Sequence, residues 1–433
     1  MDRALESGLL EGRRPEAPGF SIGQLRQRWT ELLAIVLFFL LHVQVFGAVA
    51  VLVQFACIGG IVLINLRAMP RMLWLGLPLL LLPLWMILSA VWSTAPGVTT
   101  RYGIQLLITI FAGLLTASVL KPHRFLMVIF IALTAVCIGS ILDGSTGPSA
   151  EGPVLIGLTG SKNQMSYASQ LWLAAALCVA LDRHWAPPIR VGAFLCLLPG
   201  VYIIASVRSA TGAVTSVVAA VLVCMLAVFQ RLTAQARIML IAAGLVATAP
   251  LFTVMPQIER GIADFTTNVL NKDPTLTGRT YLWMKADEII ELSPMIGQGY
   301  MAIFMGDRVE GLGILRWAEK TDGRSFHFHD SFRQLWVDGG LVAVLLFVVP
   351  LLIALGRLMA INVYRPAMPF AFLLVMLAML TARAKTDATF SPLYFYTALI
   401  TAICAYGFIE KIGRQARPRI VEDPSPIRYR TAE

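Results

Sequence analysis

Charge is scarce in this chain of 433 residues. Only 14% of positions are charged and 57% are hydrophobic, with a mean hydropathy of +0.74, whereas a soluble domain carries roughly 25% charged residues. That balance excludes a disordered chain, a coiled coil and a soluble multidomain protein. Cysteine is sparse and unpatterned. Cys57, Cys137, Cys178, Cys196, Cys224 and Cys404 all lie in apolar runs, with no Cys-x-x-Cys and no Cys/His cluster, so neither a disulfide scaffold nor a zinc site is expected. The opening MDRALESGLLEGRRPEAPGF lacks an apolar core and a small-residue cleavage site. No signal peptide is expected, and the first span serves as an uncleaved insertion signal. Acidic metal motifs of the Asp-x-Asp kind are not evident. The GQG at 297–299 is too short to stand for a nucleotide loop.

What is abundant is apolar sequence in runs of about 20 residues, the length that crosses a bilayer as a helix. Twelve such runs lie near 30–46, 48–66, 72–92, 103–120, 124–142, 164–181, 191–206, 211–229, 238–255, 334–355, 367–384 and 393–410. The first two share one stretch, split at Gly47 because roughly 35 residues is too long for a single crossing. Unpaired backbone groups are not tolerated in lipid, so the runs must be helical. The predicted fold class is an all-α polytopic membrane protein of about twelve transmembrane helices.

The net charge of +10 would point to nucleic acid in a soluble protein. Here the basic residues mark topology. Every short loop on one face carries a pair: Arg67 and Arg71, Lys121 and Arg124, Arg183 and Arg190, Arg231 and Arg237, Arg357 and Arg365. Both tails are basic as well. The positive-inside rule places that face and both termini in the cytoplasm, and no nucleic-acid partner is expected. The expected organisation is an N-tail at 1–29, nine helices over 30–255, a large outward loop at 256–333, three helices over 334–410 and a basic C-tail at 411–433. The loop far exceeds the roughly 2–8 residues usual between bundle helices. It holds a short amphipathic helix in GRTYLWMKADEIIEL, where Leu282, Ala286, Ile289 and Ile290 share a face. Thr277 is its expected N-cap and Pro294 closes it.

Polar residues at helix ends on the outward face are the informative ones, because each ionisable group held near lipid is costly. Lys162 opens the sixth span in LTGSKNQMSYASQ. Arg208 lies in ASVRSATGA, Arg279 in LTGRTYLW, Arg101 after WSTAPGVTT, and Arg383 and Lys385 after the eleventh span. Helix N-termini near Asn163, Thr211 and Thr280 add positive dipole ends. Together they form an outward anion site; the alternative for each cation is snorkelling to headgroups. His327, His329 and Asp330 stand in FHFHDSFRQLWVDGGLVA at the entry to the tenth span. A histidine suits proton transfer from a hydroxyl near neutral pH. The alternatives are a surface pair without a role and, less favoured for want of further ligands, a metal site. An anion clamp with one candidate base suits a reaction on a lipid-anchored diphosphate sugar. Cations there stabilise the leaving group without a metal while the base accepts the hydroxyl proton. No cofactor is expected.

These residues carry a resemblance. LSAVWSTAP at 88–96, GLTGSKNQMS at 157–166, SVRSATG at 206–212, GRTYLW followed by SPMIGQGY, and HDSFRQLWVDGG resemble, in that order, segments of the O-antigen ligase and Wzy-type polymerase superfamily, particularly its exopolysaccharide-polymerase branch. Each motif is short; order and spacing carry the likeness across nearly the whole chain. The resemblance implies twelve helices and a large periplasmic loop with short helices, in the bacterial inner membrane. It implies metal-independent, inverting glycosyl transfer from an undecaprenyl-diphosphate-linked glycan to a sugar hydroxyl. His329 is then the catalytic base. Arg208 and Arg279 hold the diphosphate, with Lys162 contributing and Asn163, Arg101, His327, Asp330, Arg383 and Lys385 lining the substrate site. Asp330 stands where the family often has Asn, leaving open whether it orients His329 or meets substrate, and His327 is an alternative that shares the role. The acceptor is a lipid-linked glycan in a polymerase, the reading preferred here, or lipid A–core in a ligase. A secondary transporter is disfavoured: the halves show no convincing similarity, and acidic residues inside the spans are nearly absent.

Overall fold

The computed structural model describes residues 22–43, 46–149, 152–248, 277–321, 326–387 and 389–412; the tail segments 1–21 and 413–433 and the loop segment 249–276 lie outside the described residues. Each predicted apolar run holds a helix. The first ten helices are α1 (Ile22–His42), α2 (Gly47–Ile64), α3 (Met69–Leu88), α4 (Pro96–Val119), α5 (Pro122–Asp143), α6 (Lys162–Leu181), α7 (Pro187–Leu195), α8 (Leu197–Val207), α9 (Ala210–Phe229) and α10 (Ala234–Thr248). Three short ones follow, α11 (Thr277–Leu292), α12 (Ala302–Met305) and α13 (Val309–Trp317), then α14 (Ser331–Tyr364), α15 (Met368–Ala384) and α16 (Phe395–Ile409). Among the described residues eight helical segments are long and apolar enough to cross a membrane, and three further apolar helices are shorter. The protein is an all-α polytopic membrane protein. Among those residues the strands are one two-residue antiparallel pair, Thr146–Gly147 with Val154–Leu155, in the α5–α6 connection.

Local chemistry explains the boundaries. Proline stands in the first turn of α3, α4, α5, α7 and α15, where its missing N–H is not needed. The predicted seventh span is two helices in line, parted at Cys196. Pro199 cannot donate to the Leu195 carbonyl, and the ladder is interrupted there. α11 begins, among the described residues, at Thr277 itself.

The arginines of the basic loops bind helix ends. Arg237 donates to the carbonyls of Phe229 (3.0 Å), Gln230 (3.1 Å) and Leu232 (2.6 Å) at the end of α9 and to Val363 (2.5 Å) on α14. Arg357 donates to Gly407 and Glu410, Arg365 to Lys411, and Arg190 to Ala180. These carbonyls are the ones a helix C-terminus leaves unpaired.

α6 is the central helix. Of its span 72% is buried within the protein, against 17% for α9, so its N-terminal polar turn is held by neighbours on several sides. On the face opposite the basic one, the short helices build a second small core from Leu282, Ala286, Ile289, Ile303, Phe304, Ile314, Leu315, Phe328 and Val337, with Ile290 packed against it. The apolar stripe read from the sequence is its floor. Burying each such large side chain stabilises by about 1.5–3 kcal/mol.

This cap is threaded into the bundle. α14 is broken at Gly340 (φ 69°, ψ −171°). Into the break the 294–301 segment inserts: Gln298 N donates to Val337 O (2.8 Å), Gly299 N to Asp338 O (3.0 Å) and Leu341 N to Pro294 O (2.9 Å). Met301 N donates to the buried Asp338 carboxylate at 3.2 Å. Three indoles bind the exposed carbonyls: Trp85 to Gly339, Trp92 to Ile296 and Trp336 to Pro294, as tryptophans do at a membrane boundary. A Cβ on Gly340 would overlap the Met295–Ile296 backbone. Gly340→Ala is therefore expected to destabilise by about 3 kcal/mol or more, from backbone strain plus overpacking. Gly356, with nothing within 4 Å of a Cβ, is the control. Thermal melts in detergent that coincide for Gly340→Ala and Gly356→Ala would refute this.

Candidate functional site

Two turns from distant parts of the chain meet above α6. The first is His327–Asp330, which leads into α14. Asp330 is the N-cap, its carboxylate accepting from Phe332 N (2.9 Å) and Arg333 N (3.1 Å), and it pairs with Arg333 at 2.9 Å and Lys385 at 4.0 Å. Capping is worth about 1 kcal/mol. Asp330 is thus occupied with its helix and has no described bond to His329. Phe328 is pinned from both sides: its N–H donates to Gln334 and its carbonyl accepts from Trp283 of α11. His329 is left in the left-handed region at φ 53°, uncommon for a residue with a Cβ and concentrated at functional sites.

The second turn follows α15 and carries Asp387. Ser331 Oγ donates to the Asp387 carbonyl (2.9 Å) and accepts from Thr389 N (2.9 Å), stapling the turn to the start of α14. The Asp387 carboxylate then faces both imidazoles, with Oδ1 3.6 Å from His329 Nδ1 and 3.7 Å from His327 Nε2. Its Oδ2 pairs with Arg383 Nη2 at 3.0 Å. Arg383 lies over the Tyr167 ring (4.7 Å) and also donates to Asn163 O at 3.4 Å. Burial alone would raise the Asp387 carboxyl, but His329, Arg383 and His327 outweigh it and hold it below the usual carboxylate range. His327 is pushed down to about 4, first by burial and then by His329, with Arg279 adding to the shift and Asp387 opposing it. Its Nδ1 already accepts the His329 N–H at 3.1 Å, so His327 is neutral near pH 7 with its proton assigned to Nε2.

Arg279 joins the same group from the first turns of α11. Burial lowers its basicity, Arg383 lowers it further, and Asp387 raises it. α11 is held to α14 by Arg333, which bonds Asp287 at 2.9 and 3.2 Å and lies over Trp283. Among the described residues, two buried nitrogens in this group, His329 Nδ1 and Arg383 Nε, lack a hydrogen-bond partner. His329 Nδ1 faces the Asp387 carboxylate just beyond hydrogen-bond reach, and a ligand is the natural partner for Arg383 Nε.

The other sequence-predicted residues lie around this centre. Lys162 Nζ donates to Ser149 Oγ at 3.1 Å. Arg208 is exposed, in the left-handed region at φ 51° between α8 and α9, with a guanidinium nitrogen beside Gly152. α6 links the two neighbourhoods along one face: Asn163 and Tyr167 meet Arg383, and Gln170, two turns on from Asn163, accepts from Thr215 of α9. Lys385 is exposed over Phe332, and Arg101 is exposed beside Tyr102. His327, His329 and Arg383 thus meet around Asp387, Arg279 lies within reach of their charges, and Arg208 lies in the α8–α9 turn beside Gly152. Asp387 was not read from the sequence. Its signal was its place four residues after Arg383, one helical turn on.

His327, His329 and Asp387 also have the donor set of a metal site, with one ligand atom from each within 4.8 Å of the others. The surroundings favour an anion. Arg383 already pairs with Asp387, and Arg279 adds a second positive charge, so a divalent cation would bind against two guanidinium groups.

Residues 192–348 match the family model described as O-antigen ligase. That stretch includes Arg208, Arg279, His327, His329 and Asp330 and ends before Arg383 and Asp387. Over 332 residues the chain is 26% identical to the exopolysaccharide production protein ExoQ of Rhizobium meliloti (strain 1021), covering 74% of each protein. With the helical membrane architecture, these matches support a likeness to the O-antigen ligase/Wzy-like superfamily of membrane polysaccharide polymerases and ligases.

Proposed function

We propose that the protein polymerises polysaccharide repeat units at the periplasmic face of the bacterial inner membrane, with both termini in the cytoplasm, drawing on an undecaprenyl-diphosphate-linked glycan. The observation that carries this reading is the Asp387–His329 pair set beside Arg383, whose buried Nε is unpartnered among the described residues, and within the field of Arg279. Asp387 holds the His329 Nδ1–H and leaves Nε2 as the base. The incoming sugar hydroxyl gives its proton to Nε2 as its oxygen bonds the anomeric carbon. The bond from that carbon to the diphosphate breaks, and its electron pair leaves with the diphosphate. A single displacement inverts the anomeric centre. The two arginines stabilise the charge that grows on the leaving group, and bidentate guanidinium contacts suit its oxygens. The present 3.6 Å separation of Nδ1 and carboxylate is of the kind that tightens when substrate binds. His327 holds the backbone of His329 and is a poor base. Arg208, in the α8–α9 turn, and Lys162, at the start of α6, serve the distal phosphate or the glycan. The exopolysaccharide relative, aligned over most of the chain, favours polymerisation over transfer to lipid A–core.

Reconstitution with a lipid-linked repeat unit tests this. A ladder of products is expected without added lipid A, and a single shift of lipid A in place of a ladder would make the protein a ligase. EDTA is expected to leave the rate within about twofold, since the arginines take the role a metal would have. Inhibition reversed by a divalent cation would instead make His327, His329 and Asp387 metal ligands.

A further inference from the structure

We propose that the groove between α11 and α13 is a glycan-binding subsite that holds sugar units of the acceptor chain remote from the reacting end; the proposal rests on the glycan-transfer reading above. The groove has a volume of about 370 Å³. Tyr281 packs on Trp317 with ring centroids 4.4 Å apart and planes 38° apart, forming an aromatic step, and Trp317 is 46% exposed. Glu288 on one wall and Glu310 on the other each carry a basic partner, Lys285 at 2.7 Å and Arg308 at 3.0 Å. A saccharide presents apolar C–H faces and a rim of hydroxyls. Aromatic faces complement the first, and paired carboxylates and cations, which both accept and donate, complement the second.

The placement on α11 strengthens the assignment. Tyr281, Lys285, Glu288 and Leu292 recur at i, i+4, i+7 and i+11, one stripe of the helix. Arg279 and Asp287 lie on the opposite side, toward the histidines. One rigid helix therefore carries a cation of the reaction centre on one side and the groove on the other. The groove runs along about 17 Å of helix, from Tyr281 to Leu292, a length that suits a chain of several sugar units.

The test uses the full-length protein in lipid nanodiscs and oligosaccharides of graded length, made by partial hydrolysis of the host's purified exopolysaccharide. Calorimetry is expected to show affinity rising with length. Tyr281→Ala and Trp317→Ala should weaken binding of the longer oligosaccharides about tenfold, the scale of one lost aromatic contact, with Trp317→Phe close to wild type. In turnover, the rise in acceptor KM should grow with acceptor length. The same binding pattern should persist in a His329→Ala background. Wild-type binding by both alanine variants at every length, or equal loss at every length, overturns the groove. A wild-type protein that binds in this pattern yet never extends a lipid-linked repeat overturns the transfer reading and leaves the groove standing.

Discussion

His329→Ala is expected to lower glycan transfer by about 10²- to 10⁴-fold, the usual contribution of one positioned base, while the protein remains folded and inserted. The imidazole is partly exposed and its side chain has no hydrogen bond at Nδ1, so its removal costs the fold little. Asp387→Asn should fall in the same direction by a smaller factor. An amide can still meet His329, but it cannot stabilise the imidazolium that forms as the proton arrives. Kinetics separates this pair from a binding role: both losses should fall on kcat with acceptor KM little changed, because the pair acts on the proton in flight and not on ground-state binding. Near-normal product from His329→Ala would place the base elsewhere, and His327, with its Nδ1 occupied and its basicity reduced, would be a poor substitute.

Much of the architecture was legible because its signals are local. Span-length apolar runs and the 3.6-residue stripe Leu282, Ala286, Ile289 need no tertiary information, and the helices and the small cap core follow them. The break after the first run could be placed near Gly47 from length alone, and α1 ends at His42 with α2 beginning at Gly47. What could not be read was which turn meets which. GQG at 297–299 and the glycines at 339–340 are separately visible as turn formers, but their interlocking through Gln298 and Leu341 joins segments some forty residues apart. The same holds at the site. His329 and Asp387 share no local pattern, and their meeting depends on Ser331 reaching the 387–389 turn. Asp330, adjacent to the histidine in sequence, turned inward to cap its own helix because unpaired N–H groups at a helix start must find an acceptor. Adjacency in sequence was a poor guide to partnership, and the carboxylate that faces the imidazole came from the far side of a transmembrane hairpin.

Arg279→Lys is expected to cost about 10²-fold in transfer rate, the scale of removing one donor to a developing oxyanion, although formal charge is retained. Two physical effects act together. Lysine loses the planar fork that grips two oxygens at once. It also enters a place where burial and the neighbouring Arg383 already disfavour positive charge. A guanidinium, with an intrinsic pKa above 12, stays charged under that pressure. An ammonium begins nearer 10.4 and has less margin. Part of the defect should therefore be recovered at lower pH, down to the point at which the base itself is protonated, whereas Arg279→Ala should show no such recovery. Arg383→Lys should be impaired as well, since Arg383 uses one nitrogen on Asp387 while its buried Nε has no partner among the described residues. Arg208→Lys should lose less, because Arg208 is exposed and lies in the α8–α9 turn beside Gly152. The measurement is the transfer rate with a lipid-linked repeat unit across pH for the four variants. An Arg279→Lys protein within twofold of wild type at every pH would remove Arg279 from the diphosphate site and leave Arg383 to hold the leaving group alone.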